Sequence, residues 1–299
     1  MLRAMYTSIS GLRNHQAMLD TVGNNIANVN TYGFKGSTTA FKTLLSQTMQ
    51  GAGAPSPTLG GTNFQQVGLG MTIDSITQNF TQGALQTTGT QTDLAIQGDG
   101  FFNVTNDAAG IAAGAPQMSY TRAGNFKFDA AGTLVTSDGY MVMGWADDDA
   151  ATAGFQLDIT NPMSTIQLNP QLYSNTIIGS DGTVSAVYND TADPLNVSGR
   201  NGNREVVGMI ALSRFSNPSG LEQTGNNRWQ ESLNSGTPVD DVSNANGLGA
   251  LSVGYLEMSN VDLATEFTEM IKAQRGFQAN SREITPSDEI LQELVNLTR

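Results

Sequence analysis

Asn24-Asn25-Ile26-Ala27-Asn28-Val29-Asn30-Thr31-Tyr32-Gly33-Phe34-Lys35 closes a segment in which Met5, Leu12, Leu19 and Ile26 recur at sevens, with Leu2 and Ile9 on a second seam. A seven-residue apolar repeat keeps one narrow helix face turned toward a partner helix. The repeat predicts a helix over residues 1–30, stopped where Asn30 offers local side-chain bonding and Gly33 a left-handed cap. A helix of that length is marginal alone in water, so its stripe needs a partner in this chain or in another copy.

The far end of the chain carries a matching stripe. Leu263, Met270, Phe277, Ile284 and Leu291 fall at sevens, and Phe267 and Val295 share a companion position that Gln274, Ser281 and Asp288 interrupt. Residues 1–30 hold Arg3 and Arg13 against Asp20, while residues 262–299 hold seven acids against four bases, so the two ends attract weakly. Either each stretch is an ordinary amphipathic helix packed on a globular core, or the two pair as one coiled-coil-like arm. The presence of one at each end favours the arm. Asn260 or Asp262 can cap the second helix, and Thr285-Pro286-Ser287-Asp288 has cap, proline and acid in the order of a fresh start. A kink or restart is expected there, because proline clashes with the carbonyl four residues back.

Between the ends the texture changes. The 299 residues exceed one average domain, and only 14% are charged, yet the net charge is −13. That sign argues against nucleic acid and anionic membrane as partners. There is no cysteine, which removes disulfides and thiol chemistry without placing the protein inside or outside a cell. Residues 1–20 lack the uninterrupted apolar run of a cleaved secretory signal, and no run approaches the length of a spanning helix. Those two absences alone would predict a cytosolic protein.

The connector is placed over residues 31–70, and 46–70 within it are rich in Gly and Pro and read as flexible or irregular. From Met71 short alternating runs begin, including Asp93 to Val104 and the hairpin Tyr120 to Val135. The expected class is therefore α+β: helices at both ends and a discontinuous, mainly antiparallel β domain over 71–146 plus 171–258. A small β excursion or loop is expected over 147–170. Asp147, Asp148 and Asp149 within it lack the alternating spacing of a calcium loop and read as a solvated turn.

The run Asn24 to Lys35, followed by Phe41, resembles the N-terminal signature of the bacterial flagellar rod and hook proteins, with Asn24, Asn25, Ala27, Asn28, Thr31, Gly33, Phe34 and Lys35 as its motif residues. Asp93 to Val104 and Tyr120-Thr121-Arg122-Ala123-Gly124-Asn125-Phe126 are similar to two further signatures of that family, and Leu251 to Asp262 to a last one. The connector wording looks closest to the short hook proteins of Gram-positive bacteria, with the distal rod next. The resemblance implies a structural subunit of the flagellum that polymerises with itself. As hook it would be a flexible joint transmitting torque; as distal rod, a stiffer shaft. It also implies rod, hook, cap and junction proteins as neighbours, and passage through the flagellar type III export machinery without a cleaved signal. Location in the basal body or hook, outside the cytoplasm, then replaces the cytosolic default. The assembly residues on this reading are Met5, Ile9, Leu12, Leu19, Ile26, Leu263, Phe267, Met270, Phe277, Ile284 and Leu291.

Catalysis finds no support in the inventory. His15 is the single histidine and stands without a cysteine, so neither a nucleophile–base pair nor a transition-metal site assembles from the usual ligands, and no cofactor is expected. Glu266 and Glu269 lie one turn apart but read as solubilising groups that pair with Lys272 and Arg275. Gly98-Asp99-Gly100 lacks the helix start and lysine of a phosphate cradle. The contrasting hypotheses are a secreted β-rich adhesin and a cell-wall hydrolase.

Overall fold

The computed structural model describes residues 2–55, 60–107, 110–111, 116–146, 162–189 and 202–297. The chain divides into two compact units: Met1–Val29, Gly36–Asn79 and Val261–Arg299 form one, and Asn30–Lys35 with Phe80–Asn260 the other. The class is α+β, as the period-seven ends and period-two middle predict.

The first unit holds helices α1 (Leu2–Ala27) and α2 (Leu263–Leu297) and strands β1 (Ser37–Thr43), β2 (Ser46–Gln50), β3 (Gln65–Gly68) and β4 (Met71–Gln78). At the end of α1 the Asn28 side-chain amide donates back to the Asn24 carbonyl at 2.9 Å, beside the Asn28 backbone amide at 3.2 Å, which reinforces the last turn. Asp262 begins α2 by accepting from the Ala264 amide at 3.1 Å and from the Thr265 hydroxyl at 2.8 Å. These hydrogen bonds, the one from Thr265 first, hold its carboxyl below the ordinary range. The expected restart at Pro286 does not occur: α2 runs through it. Pro286 has no N–H for the Arg282 carbonyl, and the Thr285 hydroxyl donates to that carbonyl instead, at 3.1 Å.

The connector over residues 31–70 holds strands, including β2 and β3 within the 46–70 stretch expected to be irregular. β1 pairs antiparallel with β4, and β2 pairs antiparallel with β3. Strand β4, assigned from sequence to the β domain, therefore packs in the unit that holds the helices, and the boundary falls after Asn79. The β-branched residues Thr38, Thr39, Ile73 and Ile76 fit a pleated ladder. The Gly and Pro residues that suggested irregularity are concentrated between β2 and β3. Helix α1 is fastened to this ladder by polar groups: the Asn14 amide donates to the Met71 carbonyl at 2.7 Å, and the Met71 amide donates to the Ser10 hydroxyl at 3.3 Å.

The second unit is a sheet assembly. Its main path runs Tyr173–Ile178, Thr183–Tyr188, Arg204–Ile210, Met141–Ala146, Phe101–Thr105, Ser119–Thr121, Arg228–Gln230 and Glu222–Gly225, with antiparallel neighbours throughout. Two short ladders join residues distant in sequence: Leu94–Gln97 with Ala250–Val253, and Leu85–Thr87 with Tyr255–Glu257. The run Val206 to Phe215 is broken at Ala211, because its two halves pair with different neighbours. Of the expected excursion over 147–170, residues 147–161 lie outside the described residues, while Ser164–Thr165 pairs with Met143 and Gly144. Successive side chains on a strand point to opposite faces, so Phe102 packs with Phe126 in one core and Phe101 with Phe215 and Trp229 in another.

Candidate assembly face and a buried charge cluster

The facing surface of α1 and α2 is built from small and polar residues. A Cβ on Gly11 would fall 2.6 Å from the Asn280 side chain, and one on Gly276 would fall 2.6 Å from the His15 ring. Further along, the Asn25 amide donates to Glu266 at 3.1 Å. Rising numbers on α1 meet falling numbers on α2, so the helices lie antiparallel. Val22 and Ala273 are the buried apolar members of the two helices among the described side chains. Glycine at 11 and 276 permits a backbone approach that larger residues would block.

The sequence-derived stripes occupy neighbouring positions instead. Met5, Ile9, Leu12, Leu19, Ile26, Met270 and Ile284 are half-buried, while Leu263, Phe267 and Phe277 are exposed, Phe267 by 50%. Tyr6, Ile271 and Ile290 extend the exposed apolar surface. The side chain of Leu291 lies outside the described residues. Glu266 and Glu269, read as solubilising, divide their roles. Glu269 sits 2.5 Å from Lys272, whereas Glu266 turns to Asn25, and burial pushes its carboxyl above the ordinary range despite that hydrogen bond.

The motif residues fall in both units. Asn25 is 1% exposed and works as a clasp: its side chain donates to the Ser37 carbonyl at 2.8 Å and accepts from the Ser37 amide at 2.9 Å. Asn24 and Asn28 form the helix end already described, Ala27 is exposed and Thr31 half-buried. Gly33, in the second unit, has φ of +67°, and a Cβ there would stand 2.7 Å from the Ala123 amide nitrogen. Its own amide donates to the Glu257 carbonyl at 2.8 Å. Phe34 is buried, and Lys35 opens a polar cluster in the protein interior.

Lys35 and Glu257 have wholly buried side chains, with Nζ 2.7 Å from Oε1. The same carboxylate oxygen accepts from the Gly83 amide at 2.9 Å, and Oε2 lies 3.4 Å from the Arg122 guanidinium. Lys35 also donates to the Thr81 carbonyl at 2.8 Å. Burial lowers the Lys35 ammonium and the Arg122 guanidinium from their ordinary values, with Glu257 opposing the shift in both. One carboxylate thus joins three segments far apart in sequence, at the positions where the N-terminal, central and C-terminal signatures stand. Sequence reading missed Glu257 and Arg122 as partners of Lys35. Their one signal was a charged residue set among otherwise apolar or small residues.

Comparison with known proteins reads the same segments. The model described as "Flagella basal body rod protein" matches residues 5–35, "Flagellar hook protein FlgE/F/G D1 domain" matches 95–186, and "Flagellar basal body rod FlgEFG protein C-terminal" matches 252–297. The flagellar basal-body rod protein FlgG of Bacillus subtilis is 47% identical over 301 residues, covering 100% of both chains. FlgG of Borreliella burgdorferi is 36% identical over 304 residues, again covering 100% of both. The flagellar hook protein FlgE of that organism is 30% identical over 449 residues, covering 99% of this chain and 100% of its own. The chain therefore belongs to the flagellar rod and hook family and is a structural subunit of the bacterial flagellum.

Proposed function

We propose that this chain builds the flagellar rod, in its distal part, and that its work is its own polymerisation. The observation that carries the reading is length-matched similarity: the rod relative aligns over 301 residues, while the hook relative needs 449 to accommodate the 299 of this chain. The hook expectation gives way to the rod because the connector wording that suggested it is a short stretch, whereas the rod likeness extends over the whole chain. The hook remains the second reading, favoured by the relative that is 30% identical over 99% of this chain.

In this proposal the terminal helices form a coiled-coil-like arm, and its free apolar face, Leu263, Phe267, Met270 and Phe277 with Met5, Ile9, Leu12, Leu19, Ile26 and Ile284 beside them, is covered by neighbouring copies. Helices α1 and α2 spend small and polar side chains on each other and leave large apolar ones for other molecules. Repeated heterologous contacts that do not close give a helical shaft. Other rod, hook, cap and junction proteins are its neighbours, and it leaves the cell through the flagellar export machinery without a cleaved signal. No described helix is long and apolar enough to cross a membrane.

Electron microscopy of cells lacking the gene tests the reading. A stunted rod is expected; a complete rod that stops before the curved segment would replace it with the hook. The double substitution Phe267→Ser, Ile271→Ser is expected to leave dilute protein folded and to abolish tube formation. Unimpaired tubes from that variant would refute the assigned face.

A further inference from the structure

The buried cluster carries an imbalance. Lys35 and Arg122 bring two positive charges to one carboxylate, Glu257, and all three side chains are at most 3% exposed. Arg122 Nε is buried without a hydrogen-bond partner. A buried charged donor left unpaired costs free energy that a bound acceptor would recover. Arg122 lines a cavity of about 170 Å³ bordered by Phe80, Asp99, Phe101, Arg214 and Phe215. Its guanidinium carbon sits 5.3 Å from the centre of the Phe101 ring, so the charged plane is held by an aromatic wall on one side and Glu257 on another.

We infer that this cavity is a carboxylate-binding site, in which Arg122 Nε–H donates to the ligand and the exposed Arg214 guanidinium closes over it. The class follows from the lining. Two guanidinium groups select an anion. The Asp99 carboxylate at the border repels a ligand in proportion to its charge, which disfavours a phosphate dianion relative to a monoanion. Aromatic walls suit the planar carboxylate and a short apolar stem. A free carboxylic acid and an acidic side chain of a second copy share this chemistry. With a net charge of −13, each copy has many acidic side chains to offer.

The Arg122 Nε–H resonance of the dilute full-length chain, titrated with sodium acetate against sodium chloride at matched ionic strength, tests the inference. A saturable shift with acetate alone is expected. Arg214→Gln should weaken the apparent affinity about three-fold and Asp99→Asn tighten it about three-fold, the scale of one partly exposed charge. Arg214 is exposed, so its variant separates lost binding from lost folding. An equal response to chloride, or none to either salt, overturns the site. If Asp99 itself supplies the partner in solution, Asp99→Asn moves the resonance before any acetate is added and abolishes the acetate response, which also overturns it. In assembled material without acetate, the same displacement identifies a second copy as the source, and an unmoved resonance identifies a free acid. The dilute titration does not depend on the rod reading, so either can fail alone.

Discussion

Removing the Glu257 charge should cost far more than removing the Lys35 charge that faces it. In Glu257→Gln, Lys35 and Arg122 stay buried with no carboxylate bonded to them, Asp99 beside Arg122 being the nearest charge left, and losing one member of a buried pair costs about 3–5 kcal/mol. In Lys35→Met, Glu257 keeps the Gly83 amide at 2.9 Å and Arg122 at 3.4 Å. The Thr81 carbonyl keeps the Asn260 amide at 3.2 Å. Two charge-assisted hydrogen bonds of Lys35 go, but both acceptors keep another donor and a buried ammonium is removed, so about 1–2 kcal/mol is expected. Trp145 and Trp229 are both buried in the second unit, so tryptophan fluorescence in urea follows that unit within the intact chain. With a slope of about 2 kcal/mol per molar urea, Glu257→Gln should lower the midpoint by about 1.5–2.5 M and Lys35→Met by about 0.5–1 M. Equal shifts for the two variants, or a Glu257→Gln shift below about 0.5 M, would show that the carboxylate is not the shared anchor.

Three further outcomes follow from the helices. Gly276→Leu should push the His15 ring out of its place, since even a Cβ meets it at 2.6 Å. A loss of about 1–3 kcal/mol is expected, read as earlier melting of the helical signal at 222 nm, and an unchanged melt would refute the close approach. Burial holds the Glu266 carboxyl above its ordinary value, so the folded form favours the proton. The cost of its charge is present at neutral pH and disappears as pH falls through the raised value. Glu266→Gln should therefore stabilise the helices slightly at pH 7 and remove the stability this group gains on acidification, so that the acid limb of their pH profile steepens, whereas a flatter limb would contradict the sign. Thr285→Val deprives the Arg282 carbonyl of its donor and should cost about 0.5–1.5 kcal/mol, with Thr285→Ser restoring most of it; no difference between them would leave the hydroxyl without a role.

The amino-acid order by itself determined the periodic parts of this protein. Sevens at Met5, Leu12, Leu19 and Ile26 marked a helix, alternation around Phe101 and Phe102 marked a strand with two packed faces, and the motif from Asn24 to Lys35 was specific enough to imply the family. These signals are local, because backbone geometry converts spacing along the chain directly into a face.

Tertiary structure alone decided what each face meets. The seam between α1 and α2 runs through Gly11, His15, Asn25, Glu266, Gly276 and Asn280, which carry little apolar signal. Small and polar residues are selected there by the distance between backbones, and spacing does not report distance. Of the large residues that drew attention, Leu263, Phe267 and Phe277 were left exposed and the other described ones half-buried. Similarly, β4 was legible as an alternating run, but its partner β1, across a Gly- and Pro-rich stretch, was not. The meeting of Lys35, Glu257 and Arg122 depends on strands brought together over more than one hundred residues of intervening chain. A buried carboxylate chooses its partners by the geometry of desolvation, and that geometry exists only once the sheet has closed around it.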